Sequence, residues 1–173
     1  MFRKAQEADL DKIADIYSEI HDYEEANGPF TNWRRDLYPT RETAAQAIVD
    51  GFMYVGEDEG EMFGASLLNN NQLDEYAKIP WEYPAEDDEV GVIHTLVIRP
   101  SMSGRGYARK FVAWLEEEAA RQGCKVMRLD TPMTNTPAKI MYPKLGYREA
   151  GVEFFNFLGQ IEEDLVCYEK KLD

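Results

Sequence analysis

Apolar positions along this chain switch between two periods, and the switches mark its elements. Leu10, Ile13, Ala14 and Tyr17 recur at helical spacing, with Asp9 placed as a cap. A second helix opens at Pro39-Thr40, turns Ala44, Ala47 and Ile48 to one side and stops at Gly51. Residues 52–56 and 62–68 read as strands of a hairpin closed by Glu57-Asp58-Glu59-Gly60. Val90–Ile98 is rich in β-branched residues and ends before Pro100, which has no N–H for a ladder. Ala108, Phe111, Val112, Leu115 and Ala119 then fall on one helical stripe that runs out at Gln122-Gly123. Residues 125–130 form another strand, with Val126 and Leu129 as its apolar members. Pro137 opens a short helix with Thr136 as cap, Ala138, Met141, Tyr142 and Leu145 inside, and Gly146 as stop. Residues 2–5, 147–158 and 164–172 complete the strands, the last two antiparallel.

This order predicts an α/β protein whose mixed sheet carries helices on both faces. Residues 69–89 break it: polar, with two prolines and no period, they predict a surface excursion anchored by Tyr76, Trp81 and Tyr83. With no repeat or linker, the 173 residues predict a single domain, 1–173.

Between the strand at 90–98 and the following helix lies Ser103-Gly104-Arg105-Gly106-Tyr107-Ala108. Glycines at a helix start leave the backbone bare where several N–H groups lack partners, an arrangement suited to phosphate. No Gly-Lys-Ser/Thr follows, so this is not a Walker A loop. Arg109 stands where a dinucleotide fingerprint needs its third glycine. The loop resembles the Arg/Gln-x-x-Gly-x-Gly/Ala motif of the GNAT superfamily of N-acetyltransferases at Gly106 and Ala108, with Ser103 in place of Arg or Gln. A second stretch, from Asn135 through Ala138 and Tyr142 to Leu145-Gly146-Tyr147, resembles that family's Asn-x-x-Ala…Tyr-x-x-x-Gly-Phe/Tyr signature. The opening RKAQEADLDKIADIY is similar to the family's first strand and helix, so the likeness covers essentially the whole chain.

The resemblance implies a GNAT-like acyl-CoA N-acyltransferase fold that uses acetyl-CoA, without a metal, to acetylate a primary amine of a small molecule or peptide. Main-chain groups at Leu96, Val97 and Ile98 would hold the pantetheine arm. Those from Ser103 through Gly104, Arg105, Gly106 and Tyr107 to Ala108 would hold the pyrophosphate, with positive charge from Arg105, Arg109 and Lys110. Asn135 and Ala138 would contact the cofactor arm or shape its loop. Tyr142 would direct its hydroxyl to the CoA sulfur, and a main-chain N–H near Leu96 or Val97 would receive the acetyl oxygen where the fourth strand bulges. His94 occupies the position of the family's catalytic glutamate, and Glu24, Glu25 or Glu89 offers a carboxylate acting through water.

Each of these side chains also has an ordinary reading: His94 as a core histidine, Tyr142 as a core aromatic, Asn135 as a helix cap. Taking a proton from an amine of pKa about 10.4, a histidine near 6.5 faces a gap worth roughly 5 kcal/mol. A phenol of pKa about 10 protonates a thiolate near 8.5 uphill by roughly 2 kcal/mol, which favours donating a hydrogen bond over a proton. The alternative on the same scaffold is a non-catalytic acyl-CoA-binding or sensing domain.

Composition narrows the partners. A net charge of −14, from 19 basic against 33 acidic residues, argues against nucleic acid and permits a cationic amine. No apolar run approaches a membrane span, and Met1-Phe2-Arg3-Lys4 leads into acidic residues rather than a signal sequence. Cys124 and Cys167 lack metal-ligand spacing and read as small core residues, which fits a cytoplasmic protein. The family resemblance allows for a homodimer.

Overall fold

A computed structural model describes residues 1–172. Its strands are β1 (Phe2–Lys4), β2 (Met53–Asp58), β3 (Glu61–Asn69), β4 (Val90–Ile98), β5 (Val126–Pro132), β6 (Arg148–Phe157) and β7 (Ile161–Lys171). Its α-helices are α1 (Leu10–Asn27), α2 (Arg41–Val49), α3 (Tyr107–Arg121) and α4 (Thr136–Lys144). Among the described residues the strands form one mixed sheet in the order β1-β2-β3-β4-β5-β7-β6. The β4–β5 pair is parallel, whereas β1–β2, β2–β3, β5–β7 and β6–β7 are antiparallel.

The chain forms two compact units. One comprises Met1–Gly28, Trp33–Leu68 and His94–Leu115. Here the two-residue period of the strands sorts their side chains onto opposite faces. Met53, Val55, Ala65 and Val97 join Ile13, Ile16 and Tyr17 of α1 and Ala44 and Ala47 of α2 in one core. The intervening Tyr54 meets Trp114 of α3, while Phe63 meets Tyr107 and Phe111. Helices therefore cover both faces of this part of the sheet.

The other unit comprises Pro29–Asn32, Asn69–Ile93 and the chain from Glu116 onward. Its core gathers Tyr76, Ile79, Val90, Val92, Phe155, Leu165 and Cys167. Cys124 and Cys167 are buried and free.

Several boundaries differ from the periodic reading. The β2–β3 turn needs only Glu59 and Gly60, both left-handed at φ 49° and 84°, so the strands extend over residues expected in the loop. Strand β5 continues through Thr131 and Pro132 because β7 pairs with both, opposite Val166 and Leu165. Asp9 takes the N-cap position of α1 but gives it no side-chain cap bond: its carboxylate serves a preceding 3-10 turn, accepting from the Gln6 N–H at 2.8 Å and from Arg3 at 2.7 and 2.9 Å. Asn135, not Thr136, caps α4.

The excursion at 69–89 carries two 3-10 turns, Asp74–Lys78 and Asp87–Glu89. Tyr76 is buried, and Trp81 donates to its carbonyl at 2.8 Å. Tyr83 is held by its main chain instead. Its carbonyl accepts from Arg128, while its N–H and that of Glu82 reach the wholly buried Glu169 carboxylate. Arg128 also lies over the Trp81 ring, and Arg148 pairs with Glu169.

Candidate active site

The loop before α3 lies wholly in the first unit. A 3-10 turn at Pro100–Met102 follows β4, after which Gly104 and Gly106 adopt φ 77° and 80°. Other L-residues rarely adopt this region, so both glycines are conformational requirements. A Cβ at either would meet no heavy atom of the chain within 4 Å, so the space before the loop is clear for a ligand. The first helical bond of α3 runs from Lys110 N–H to the Gly106 carbonyl at 3.2 Å. Helix geometry therefore leaves the N–H groups of Gly106, Tyr107, Ala108 and Arg109 without intrahelical acceptors. Arg105, Arg109 and Lys110 are exposed around them. Bare backbone, unpaired donors, a helix N-terminus and cationic side chains fit the pyrophosphate of acetyl-CoA. Ser103 is also exposed. The Tyr107 side chain is committed elsewhere: it stacks on Phe63 at 4.2 Å and donates to Asp58 at 2.5 Å, bracing the loop.

In β4, Thr95 is left-handed at φ 51° in mid-strand. Its hydroxyl pairs with that of Tyr38. Beyond it, Arg99 N–H donates to the Phe63 carbonyl at 2.7 Å, and the Val97 carbonyl lies against Gly64 of β3. Main-chain groups alternate sides along a strand, so Val97 faces β3 while those of Leu96 and Ile98 turn to the other edge. His94, directly before the left-handed residue, is half-buried, and its carbonyl accepts from Ser66 Oγ at 3.3 Å.

The second unit holds the other signature residues. Asn135 Oδ1 accepts from Ala138 N–H at 3.3 Å, so this carboxamide oxygen and this N–H serve the cap of α4. The carboxamide NH2 of Asn135 provides further donor capacity. Tyr142 is buried against Tyr147 and Tyr168, with ring centroids 5.5 and 5.8 Å away. Burial first, then Asp130 and Tyr168, push its hydroxyl pKa well above that of a free phenol.

Sequence reasoning passed over Asp130. It sits near the end of β5, keeping part of its surface open while its carboxyl is desolvated. The Tyr76 hydroxyl donates to Oδ2 at 2.7 Å. Burial raises the Asp130 pKa to about 6; the Tyr76 bond opposes the rise, and Glu75 adds to it. Glu163 is similarly raised, chiefly by burial, although Asn32 donates to it at 2.7 Å. Only the position of Asp130, five residues before Asn135, was available as a signal.

The suggested water-linked carboxylates fare differently. Glu25 is paired with Arg35 at 3.0 Å, and Glu89 with Lys125, which holds its pKa below the ordinary value. Among the described residues, no group of three or more His, Cys, Asp or Glu side chains is placed to hold a metal, and no helix is long and apolar enough to cross a membrane.

Among known proteins, the model of the acetyltransferase (GNAT) family matches residues 11–147. The aminoalkylphosphonate N-acetyltransferase of Salmonella typhimurium is 32% identical over 65 residues, 38% of this chain. That match spans 42% of the relative, less than half its length. A GNAT-family acetyltransferase from Streptococcus agalactiae superposes with a TM-score of 0.84 at 22% identity, covering 100% of this chain and 95% of that one. The Salmonella typhimurium acetyltransferase yncA, solved with its cofactor acetyl-CoA, gives a TM-score of 0.68 at 20% identity, over 100% and 94% of the two chains. At these identities the structural likenesses establish the fold.

Proposed function

Because the chain belongs to the acetyltransferase (GNAT) family, we propose that it acetylates a primary amine of a small molecule or peptide, using acetyl-CoA. The observation that carries this reading is the loop at 103–109: two left-handed glycines, open space before them and unpaired N–H groups at the start of α3. Main-chain groups of Gly104–Ala108 hold the pyrophosphate, with Arg105, Arg109 and Lys110 adding positive charge; the Ser103 N–H is taken by the Pro100 carbonyl at 3.2 Å. Leu96 and Ile98, whose main-chain groups turn away from β3, hold the pantetheine arm. Acetyl-CoA supplies an acetyl group activated as a thioester.

The amine must lose a proton before it attacks. Asp130, with a pKa of about 6, is the better-supported base. Its carboxylate is desolvated, fixed by Tyr76 and among the groups that shift Tyr142. His94 is the second candidate. As the amine nitrogen would bond to the acetyl carbon, the acetyl oxygen would gain negative charge, which re-forms the carbonyl as the carbon–sulfur bond breaks. The Leu96 N–H receives that charge. The nitrogen gives up its remaining extra proton, and the sulfur leaves as thiolate to be protonated. With its raised pKa, Tyr142 stabilises that sulfur by donating a hydrogen bond while keeping its own proton.

A panel of small-molecule and peptide primary amines, with aminoalkylphosphonates first because of the relative's name, samples the acceptor. Free-thiol release with acetyl-CoA and such a panel tests the reading. Tyr142→Phe should lower kcat about 10- to 100-fold while leaving acetyl-CoA affinity within about twofold, the scale of one lost charge-assisted hydrogen bond. An unchanged kcat removes Tyr142 from the chemistry. Acetyl-CoA binding without turnover on any amine favours the sensing domain.

A further inference from the structure

Thr95 poses a physical problem at the centre of β4. Strand residues have negative φ, yet this β-branched residue is held at φ 51°, buried, in the middle of a nine-residue strand. Its two Cβ substituents make the left-handed region particularly unfavourable. Such a conformation persists only where its surroundings over-determine it. Here the surroundings include the side-chain hydrogen bond between Thr95 Oγ1 and the Tyr38 hydroxyl.

The segment carrying Tyr38 is built to be stiff. Tyr38 N–H donates to the Arg34 carbonyl at 2.8 Å, and Arg34 N–H returns the bond to the Tyr38 carbonyl at 3.1 Å. Trp33 packs edge-on against the Tyr38 ring, with centroids 6.2 Å apart. The next carbonyl, of Pro39, is 3.1 Å from His21 Nε2 on α1. Tyr17 of α1 lies in electrostatic reach of Tyr38, and its hydroxyl is buried. With Thr95 buried and Tyr38 half-buried, the hydrogen bond between them is partly shielded from water and holds more firmly than a fully exposed one.

The consequence falls on Leu96. A left-handed residue re-aims the main-chain groups that follow, and those of Leu96 face the edge away from β3. We propose that Tyr38 is a positioning residue for acetyl transfer: its hydroxyl holds Thr95 left-handed and so aims the Leu96 N–H at the acetyl oxygen. This rests on the acetyltransferase reading above. The Tyr38 hydroxyl acts through Thr95, so its removal should affect kcat rather than cofactor affinity.

A double-mutant cycle on the full chain tests the proposal, using Tyr38→Phe, Thr95→Gly and the pair. Glycine takes positive φ freely, so in its background the left-handed backbone at position 95 no longer needs the clamp. Tyr38→Phe alone should lower kcat about 10-fold, with the acetyl-CoA Kd from calorimetry within twofold. In the Thr95→Gly background the same change should alter kcat by less than twofold. An unchanged kcat for Tyr38→Phe, or an equal loss in both backgrounds, overturns the proposal. If no turnover is found with the unsubstituted chain, Tm carries the cycle: Tyr38→Phe should lower it only where Thr95 is present. That result would leave the clamp standing and fault the acetyltransferase reading; equal Tm losses in both backgrounds would fault the clamp.

Discussion

Asp130 combines a chemical role with a stability cost. Its pKa is raised from 3.8 to about 6 mainly by burial, so the charged form is the disfavoured one in the folded chain. Between those values the folded chain holds a proton that the unfolded chain has released, and stability falls as pH rises through the window. Above about pH 6 the cost is complete, on the order of 3 kcal/mol. Asp130→Asn, which keeps an acceptor for Tyr76, should therefore raise Tm at pH 8 by several degrees and have little effect near pH 4. The same substitution should lower kcat at least 10-fold if Asp130 takes the amine proton. Thermal melts across pH, paired with thiol release, check both. Equal Tm differences at pH 4 and 8 would mean that the carboxyl is not strained by burial, and full activity would return the base role to His94. Thr95 and Asp130 share a reason for escaping sequence reasoning. Neither residue type announces its state; one is left-handed because of Tyr38, the other desolvated because the fold encloses it.

Among the elements, the excursion at 69–89 shows how an irregular stretch acquires a fixed shape. Two of its aromatic anchors, Tyr76 and Trp81, were legible in the sequence, but the charges that hold it come from distant strands. Glu169 of β7 accepts from the N–H groups of Glu82 and Tyr83 at 2.7 and 3.3 Å and pairs with Arg148 of β6. Arg128 of β5 donates to Gln72 at 2.5 Å and to the Tyr83 carbonyl at 3.2 Å. Glu169 has no exposed surface, while Arg148 is partly exposed. Removing the carboxylate leaves several donors without an acceptor, but part of the Arg148 charge returns to water. Glu169→Ala should cost about 3 kcal/mol in urea denaturation and speed proteolysis within 69–89. A loss below about 1 kcal/mol would show that the excursion is held by Tyr76 and Trp81 packing alone. The strand ladder decided other boundaries too, since β7 draws Thr131 and Pro132 into β5 despite their loop-like composition.

Across the whole molecule, the order of strands and helices was legible because amphipathic periods survive along the chain outside residues 69–89. Ile13, Tyr17, Ala44, Phe111, Leu115 and Val126, expected on inner faces, are all buried. The loop at 103–109 was legible for a local reason: its glycines report their own conformational need. Tyr142 was singled out by the resemblance of residues 135–147 to the family signature, not by any property of tyrosine. The α4 cap was placed one residue late although its contact, Asn135 to Ala138, is local; Asp130, the proposed base, owes its environment to distant residues such as Tyr76. Whether the loop before α3 binds acetyl-CoA is tested most directly by calorimetric titration with acetyl-CoA, CoA, ATP and NAD. Selective binding of acetyl-CoA and CoA is expected, abolished by Gly106→Glu, which places a strained side chain and a negative charge before the N–H groups. Absence of CoA binding, or unchanged binding by a folded Gly106→Glu protein, would contradict that expectation.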